Sequence, residues 1–390
     1  MIPLSIPNFE GNERKYVDQA VNEGWVSTVG SFVTKFENNL RDYLQAPAIA
    51  VCQSGTSAIH LSLVDAGVEP GDMVIVPALT FIAAVNPVRY QFAEPVFMDC
   101  DDSLCMNLFK LRQFLKEECK LMGNRLFHKS GKRVKAVIVV HVFGNMADMV
   151  SIIEIAREFH LKVIEDATEA LGTQYTKGKF KERYAGTIGD YGCYSFNGNK
   201  IITTGGGGAV TANNAESVAH IKYLSTQAKD EPLFYVHNEI GYNYRMTNIQ
   251  AALGVAQLEK LPEFITRKQS NYSAYMKEFE GFELAEIMLF REGIYSNKWF
   301  YSLKINREKV KAPMREIIEE LQGKGIQTRA IWGLVNEQKP YKSFIAYKIE
   351  KASYYKDCIL NIPCSTNLTA QQIQITSSTI KSVLASKSNY

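Results

Sequence analysis

Lys200 stands within residues 194–208 (YSFNGNKIITTGGGG), among small, aromatic and apolar neighbours and just ahead of four consecutive glycines. A lysine in such company is expected to be buried, and burial disfavours the ammonium form and lowers the pKa. An amine nucleophile or a Schiff-base lysine needs that condition. Glycines 205–208 either permit tight backbone geometry beside a ligand or form a flexible loop. Residues 164–171 (IEDATEAL) close an apolar run with an acidic pair. At the carboxyl end of a strand in an open α/β sheet, Asp166 would face the ligand crevice and could meet a cationic ring nitrogen. Asp and Thr there could equally cap a helix. Residues 53–57 (QSGTS) join an apolar run to a helical pattern. Gly55, Thr56 and Ser57 then make either a tight turn or a phosphate site on free N–H groups at a helix N-terminus.

These residues need elements to hold them. Residues 48–53, 73–76, 95–99, 136–142 and 162–165 are short apolar runs bounded by Gly, Pro, Asp or Ser, and they predict buried strands. Amphipathic stretches such as 57–66 and 149–159 lie between them, so the sheet should be mostly parallel and covered on both faces. Short strands around a glycine turn are expected over 190–212, then helices over 214–228 and 248–259. After Pro262 a further helix (264–280), a strand (299–305), a helix (314–324) and a helical tail predict a smaller α+β domain. The division expected is a large domain over 1–261 and a small one over 262–390. The N-terminal segment is free to pack on the small one.

Composition excludes several classes. The chain has 390 residues, 46% hydrophobic and 22% charged, which suits a globular protein with a sizeable core. A net charge of +3 gives no dense basic face for nucleic acid. The basic stretch 120–135 is expected to be a solvated surface loop. No run reaches the length of a membrane span, and residues 1–12 lack the signal-peptide pattern, so a cytoplasmic location is expected. Seven cysteines without CxxC pairing read as free thiols, and Cys100 and Cys105 lack the second pair a zinc site needs. There is no GxxxxGK[ST] and no GxGxxG after the first strand, so neither an ATPase nor a dinucleotide site is indicated.

The ordered blocks SGTS (54–57), TF (Thr80, Phe81), EDATEA (165–170), SFNGNK (195–200) and GYNYRMTN (241–248) resemble the DegT/StrS-type sugar aminotransferases. The likeness extends over about residues 8–370. It implies the aspartate-aminotransferase-like α/β fold and pyridoxal 5'-phosphate as cofactor. By that resemblance Lys200 is the lysine bonded to the cofactor, and Asp166 keeps the pyridine nitrogen protonated so that the ring acts as an electron sink. Ser195 and Gly55–Thr56–Ser57 match the phosphate cradle, with Asn197 in the same SFNGNK block. Phe81 matches the ring-stacking aromatic, or is a core phenylalanine. Glu169 occupies the position near the cofactor hydroxyl where relatives often carry His or Gln. Asn243 matches an asparagine reaching the neighbouring subunit's phosphate, which implies a homodimer with composite sites.

Two departures stand out. Gly206 replaces the glutamate of GEGG in many relatives, and residues 328–332 read TRAIW, with Asn336 replacing a histidine. Arg329 and Trp332 are candidates for substrate or phosphate contact. Trp25, Val26 and Ser27 lie where relatives approach the sugar, although Trp25 could equally pack internally. Blocks 6–13, 24–32 and 80–90 resemble the subgroup that aminates C4 of UDP-2-acetamido-2,6-dideoxy-4-keto-hexoses, in routes to legionaminic acid or bacillosamine-type sugars of bacterial surface glycans. L-Glutamate is the implied donor. The resemblance also admits a sugar deoxygenase or a regulatory sensor. Lys200 favours transamination over both: in one deoxygenase group the lysine is replaced, and a shuttling base serves no purpose in sensing alone.

Overall fold

The computed structural model describes residues 1–231 and 233–388. Seven strands form the centre of a ten-stranded main sheet: β1 (Ile49–Cys52), β2 (Met73–Pro77), β3 (Glu94–Met98), β4 (Arg133–Val140), β5 (Lys162–Asp166), β6 (Tyr191–Ser195) and β7 (Gly208–Ala212). Their spatial order is β1-β7-β6-β5-β4-β2-β3. From β6 to β3 every pairing is parallel, whereas β7 runs antiparallel to both β6 and β1. The expected strands are all present within a few residues. Their near-continuous Val and Ile content follows from burial on both faces, as in Ile49–Cys52 and Met73–Pro77.

Charge and local breakers misled in two places. The basic stretch is exposed for much of its length, but it is a β-hairpin rather than a loop. Cys119–Met122 pairs with Arg125–His128, and the second strand joins β4. Pro262 does not end a helix: one helix runs from Asn248 to Phe279 through it, across the expected domain boundary. Proline there removes one backbone hydrogen bond, at a cost of ~3 kcal/mol. Pro262 itself faces outward, while Leu258, Leu261, Phe264 and Ile265 are buried and their packing offsets that loss. A capping box formed by Thr247 and Gln250 fixes the start.

Beyond this helix, Ala285–Ile287, Tyr301–Ile305, Arg329–Ala330 and Ile359–Ile362 make a second, antiparallel sheet. The N-terminus is tied to the same region: Ile2 bridges Ile326, and the Leu4 carbonyl accepts from Cys364 N–H. The C-terminal part is also strapped to the main sheet, where Ala346–Tyr347 adds a parallel strand beside β3. At that junction the buried Asp99 carboxylate accepts from the Lys110 amine at 2.6 Å and from the N–H groups of Glu350, Lys351 and Ala352. Burial alone would raise the Asp99 pKa, but Lys110 and these amides outweigh it and hold the carboxyl below its ordinary value. Its contribution to stability is therefore full above the unfolded-state pKa and is lost as pH falls through the lower folded one. Asp99→Ala should cost ~1–3 kcal/mol, because the N–H groups of Glu350, Lys351 and Ala352 lose their acceptor, while Lys110 keeps Glu350 Oε2 at 2.7 Å. Urea unfolding of the variant at neutral pH checks this, and the deficit should shrink in acid.

Candidate active site

Parallel strands deliver their carboxyl ends to one edge of the sheet, and the candidate residues gather there. Asp166 is the last residue of β5 and Ser195 the last of β6, the strand beside it. Phe81 follows the end of β2, just ahead of a short helical turn, and is 55% exposed. The segment leaving β6 turns back so that Lys200 N–H donates to the Asn197 carbonyl, with Asn197 N–H 3.4 Å from Ser195 Oγ.

Lys200 is enclosed. Its Nζ lies 3.7 Å from Glu169 Oε1 and 4.0 Å from the centroid of the Trp299 ring. Burial pushes the amine below its usual range, against the opposing pull of Glu169 and Asp166. The same burial raises Glu169 to about 7, although Lys200 and the Phe143 N–H, at 2.8 Å from Oε2, favour its charged form. Asp166 is raised by burial too, offset by Thr168, whose N–H donates to Oδ1 at 3.0 Å. Asp166 has no ion-pair partner among the described residues, which leaves a buried acid suited to a cationic ring nitrogen. Next to it Glu165 plays another part. It accepts from His141 Nε2 at 2.9 Å and from the N–H groups of Gly186, Ile188 and Gly189, fixing the loop before β6.

The turn after β1 opens the helix Gly55–Asp65. Ser54 Oγ caps it by accepting from Ser57 N–H at 3.0 Å, and the first turn keeps N–H groups without intrahelical partners. Gly55 packs so closely that a Cβ there would meet Thr168 Cγ2 at 2.8 Å and Ser195 Cβ at 2.9 Å. Thus Gly55, Thr168 and Ser195 meet at one point, one residue from Ser54 and Thr56. Gly55→Ala should destabilise the protein by ~1–3 kcal/mol, readable as a lower urea midpoint. Gly208 is equally tight against the Ser54 backbone, whereas Gly206 has its nearest neighbours at 3.6 Å and 3.9 Å, so a side chain fits at the departure from GEGG.

Other expected residues lie elsewhere in the chain. Asn243 is exposed, adjacent to Tyr244, whose carbonyl accepts from Gln53 N–H. Trp25, Val26 and Ser27 are exposed on a loop pinned by the buried Asn248, which donates to the Trp25 carbonyl and accepts from Phe32 N–H. Arg329 is exposed on the second sheet, away from these contacts. Trp332 is closer, its ring 4.6 Å from that of Phe143. Sequence reasoning missed Trp299, Phe143 and Asn297. The last donates from Nδ2 to the carbonyls of Glu169 and Leu171. Their partners are far away along the chain, and nothing local marks them.

The profile of the DegT/DnrJ/EryC1/StrS aminotransferase family matches residues 7–381. The chain belongs to this family. It is a pyridoxal phosphate-dependent sugar aminotransferase, with the α/β fold described above. A GDP-perosamine synthase of Caulobacter vibrioides is 35% identical over 374 residues, 95% of each chain. The UDP-4-amino-4,6-dideoxy-N-acetyl-beta-L-altrosamine transaminase of Campylobacter jejuni is 28% identical over 387 residues, 98% of each. The solved aminotransferase TlmJ of Streptoalloteichus hindustanus superposes with a TM-score of 0.88 at 23% identity, over 99% of each chain. No helix among the described residues is long and apolar enough to cross a membrane.

Proposed function

We propose that the enzyme moves an amino group from L-glutamate to C4 of a UDP-2-acetamido-2,6-dideoxy-4-keto-hexose, for bacterial surface glycans. The observation that carries the site assignment is the enclosed Lys200 amine, beside a buried acid and a glycine cradle at the carboxyl ends of parallel strands. The residues fit the cofactor. Lys200 Nζ would hold it, Asp166 would meet its ring nitrogen, and Gly55, Thr56, Ser57, Ser195 and Asn197 would receive its phosphate. Phe81, half-exposed at the same edge, offers a face for the ring. When bound, pyridoxal phosphate supplies a protonated ring that delocalises the negative charge left on carbon after proton removal.

Lys200 Nζ, once free, takes the proton from the donor's α-carbon, and its lowered pKa suits that task near neutrality. In the acceptor half the same nitrogen returns a proton to the sugar carbon. Glu169 holds or releases a proton opposite it. Asn243 is exposed and outside its own chain's site, which supports its serving a second copy in a homodimer. The Campylobacter relative's name supports a UDP-linked, N-acetylated, 4-amino-4,6-dideoxy product. The higher identity to a GDP-perosamine synthase favours a second reading, a GDP-linked sugar. Offering both 4-keto nucleotide sugars with L-glutamate and measuring the aminated product decides between them. Turnover of the UDP sugar alone supports the proposal, and turnover of the GDP sugar alone overturns it.

A further inference from the structure

Trp299 is 3% exposed and lies two residues before the Tyr301–Ile305 strand of the second sheet, yet its ring lies against Lys200, on the main sheet's edge. Its placement is fixed from several sides. Trp299 Nε1 donates to the Asn199 carbonyl at 2.8 Å, and its backbone N–H donates to Asn297 Oδ1 at 3.0 Å. The Trp299 carbonyl accepts from the buried Lys268 amine at 2.7 Å. Asn297 also holds the Glu169 carbonyl, so one side chain sets the indole and the Glu169 backbone together. The Phe300 ring stacks on the indole at 4.0 Å and 7°, and an amine at 4.0 Å cannot share that face. Lys200 and Phe300 therefore take opposite faces of Trp299.

We propose that Trp299 is a positioning residue that receives the free Lys200 amine on its indole face, opposite Glu169, whenever the lysine is not bonded to the cofactor. This rests on the reading of Lys200 given above. An indole face attracts an ammonium electrostatically, most strongly where water is excluded. The charged and titratable groups facing Lys200 are Glu169 and, further off, Asp166. Trp299 adds attraction without adding charge. It tempers the loss of the ammonium form that burial imposes, and it directs Nζ so that the amine returns to one place after each proton transfer.

The test measures Lys200 itself in the full-length, cofactor-free chain. Trinitrobenzenesulfonate labelling of the Lys200 peptide, followed by mass spectrometry across pH, gives the midpoint at which the amine becomes reactive. Trp299→Leu should lower that midpoint by ~1 unit, since the ammonium loses its aromatic partner. Trp299→Phe, which keeps a ring face, should stay within about half a unit of wild type. If the leucine variant does not fold, Trp299→Met carries the same comparison. An unchanged or raised midpoint in the leucine or methionine variant overturns the proposal, as does an equal shift in the phenylalanine variant. Adding pyridoxal phosphate to wild type and to Lys200→Ala separately tests the reading beneath it. A visible band insensitive to Lys200→Ala defeats that reading whatever the midpoints show.

Discussion

Lys200→Ala is expected to lower turnover by at least ~10⁴-fold, at the upper end of what a positioned general base contributes. The reason is that two tasks fall on one nitrogen. On the proposed reading the amine holds the cofactor in place, and once released it carries the proton. No second lysine replaces it: Lys268, the other deeply buried one nearby, is committed to the carbonyls of Trp299 and Cys364. Glu169 is within reach of the same space but cannot form the covalent link. Steady-state assays with L-glutamate and the keto sugar check this. Activity within a hundredfold of wild type would remove Lys200 from the chemistry.

Asp166→Asn is the second large effect, a loss of ~10²–10³-fold in kcat with the fold retained. The carboxylate is buried and has no ion-pair partner among the described residues, so on the proposed reading a cationic ring nitrogen is the charge it meets. Losing one member of such a buried pair costs ~3–5 kcal/mol, and each 1.4 kcal/mol in the barrier is tenfold in rate. Asparagine keeps the shape and an acceptor for Thr168 N–H, so urea stability should change little. Cofactor retention on dialysis should fall together with kcat. A variant with normal kcat would assign Asp166 to capping the following turn, the other role its sequence position allowed.

Much of this site was legible in the sequence because it is built from local signals. Apolar Val/Ile runs mark strands that are buried on both faces. Small residues after β1 mark a turn into a helix, and the acid closing β5 must lie at the carboxyl edge. Those three facts bring Asp166 and the Gly55 turn to one edge without knowledge of any distant contact, whereas Ser195 came only from the family resemblance. What escaped depends on packing between distant segments. Pro262 is a local breaker, but the apolar side of a 32-residue helix overrides it. The basic hairpin is held by pairing to β4 that its charges conceal. Trp299 reaches Lys200 from the second sheet, and Asn297 braces Glu169, through contacts across about a hundred residues or more. No spacing rule reveals those.

Glu169 shows how a departure from the family's pattern acquires physical meaning only in three dimensions. Where relatives often carry His or Gln, this chain places a carboxyl held by the Phe143 N–H and facing the lysine amine. Phe143 adopts a left-handed backbone conformation, φ 56°, to offer that N–H. Such strain persists when the surroundings fix it, here through ring contacts with Trp299, Phe300 and Trp332. At 3.7 Å the Glu169 carboxyl and the Lys200 amine each favour the other's charged form, against the burial that disfavours both.

The most direct measurement is the absorbance spectrum of wild type and Lys200→Ala with pyridoxal phosphate, before and after L-glutamate. Wild type should show a visible band that glutamate converts to a near-ultraviolet one, and a 4-keto nucleotide sugar should restore the visible band. Lys200→Ala should show only the spectrum of unbound pyridoxal phosphate. A wild-type protein without the visible band, or a Lys200→Ala variant that keeps it, would contradict the account.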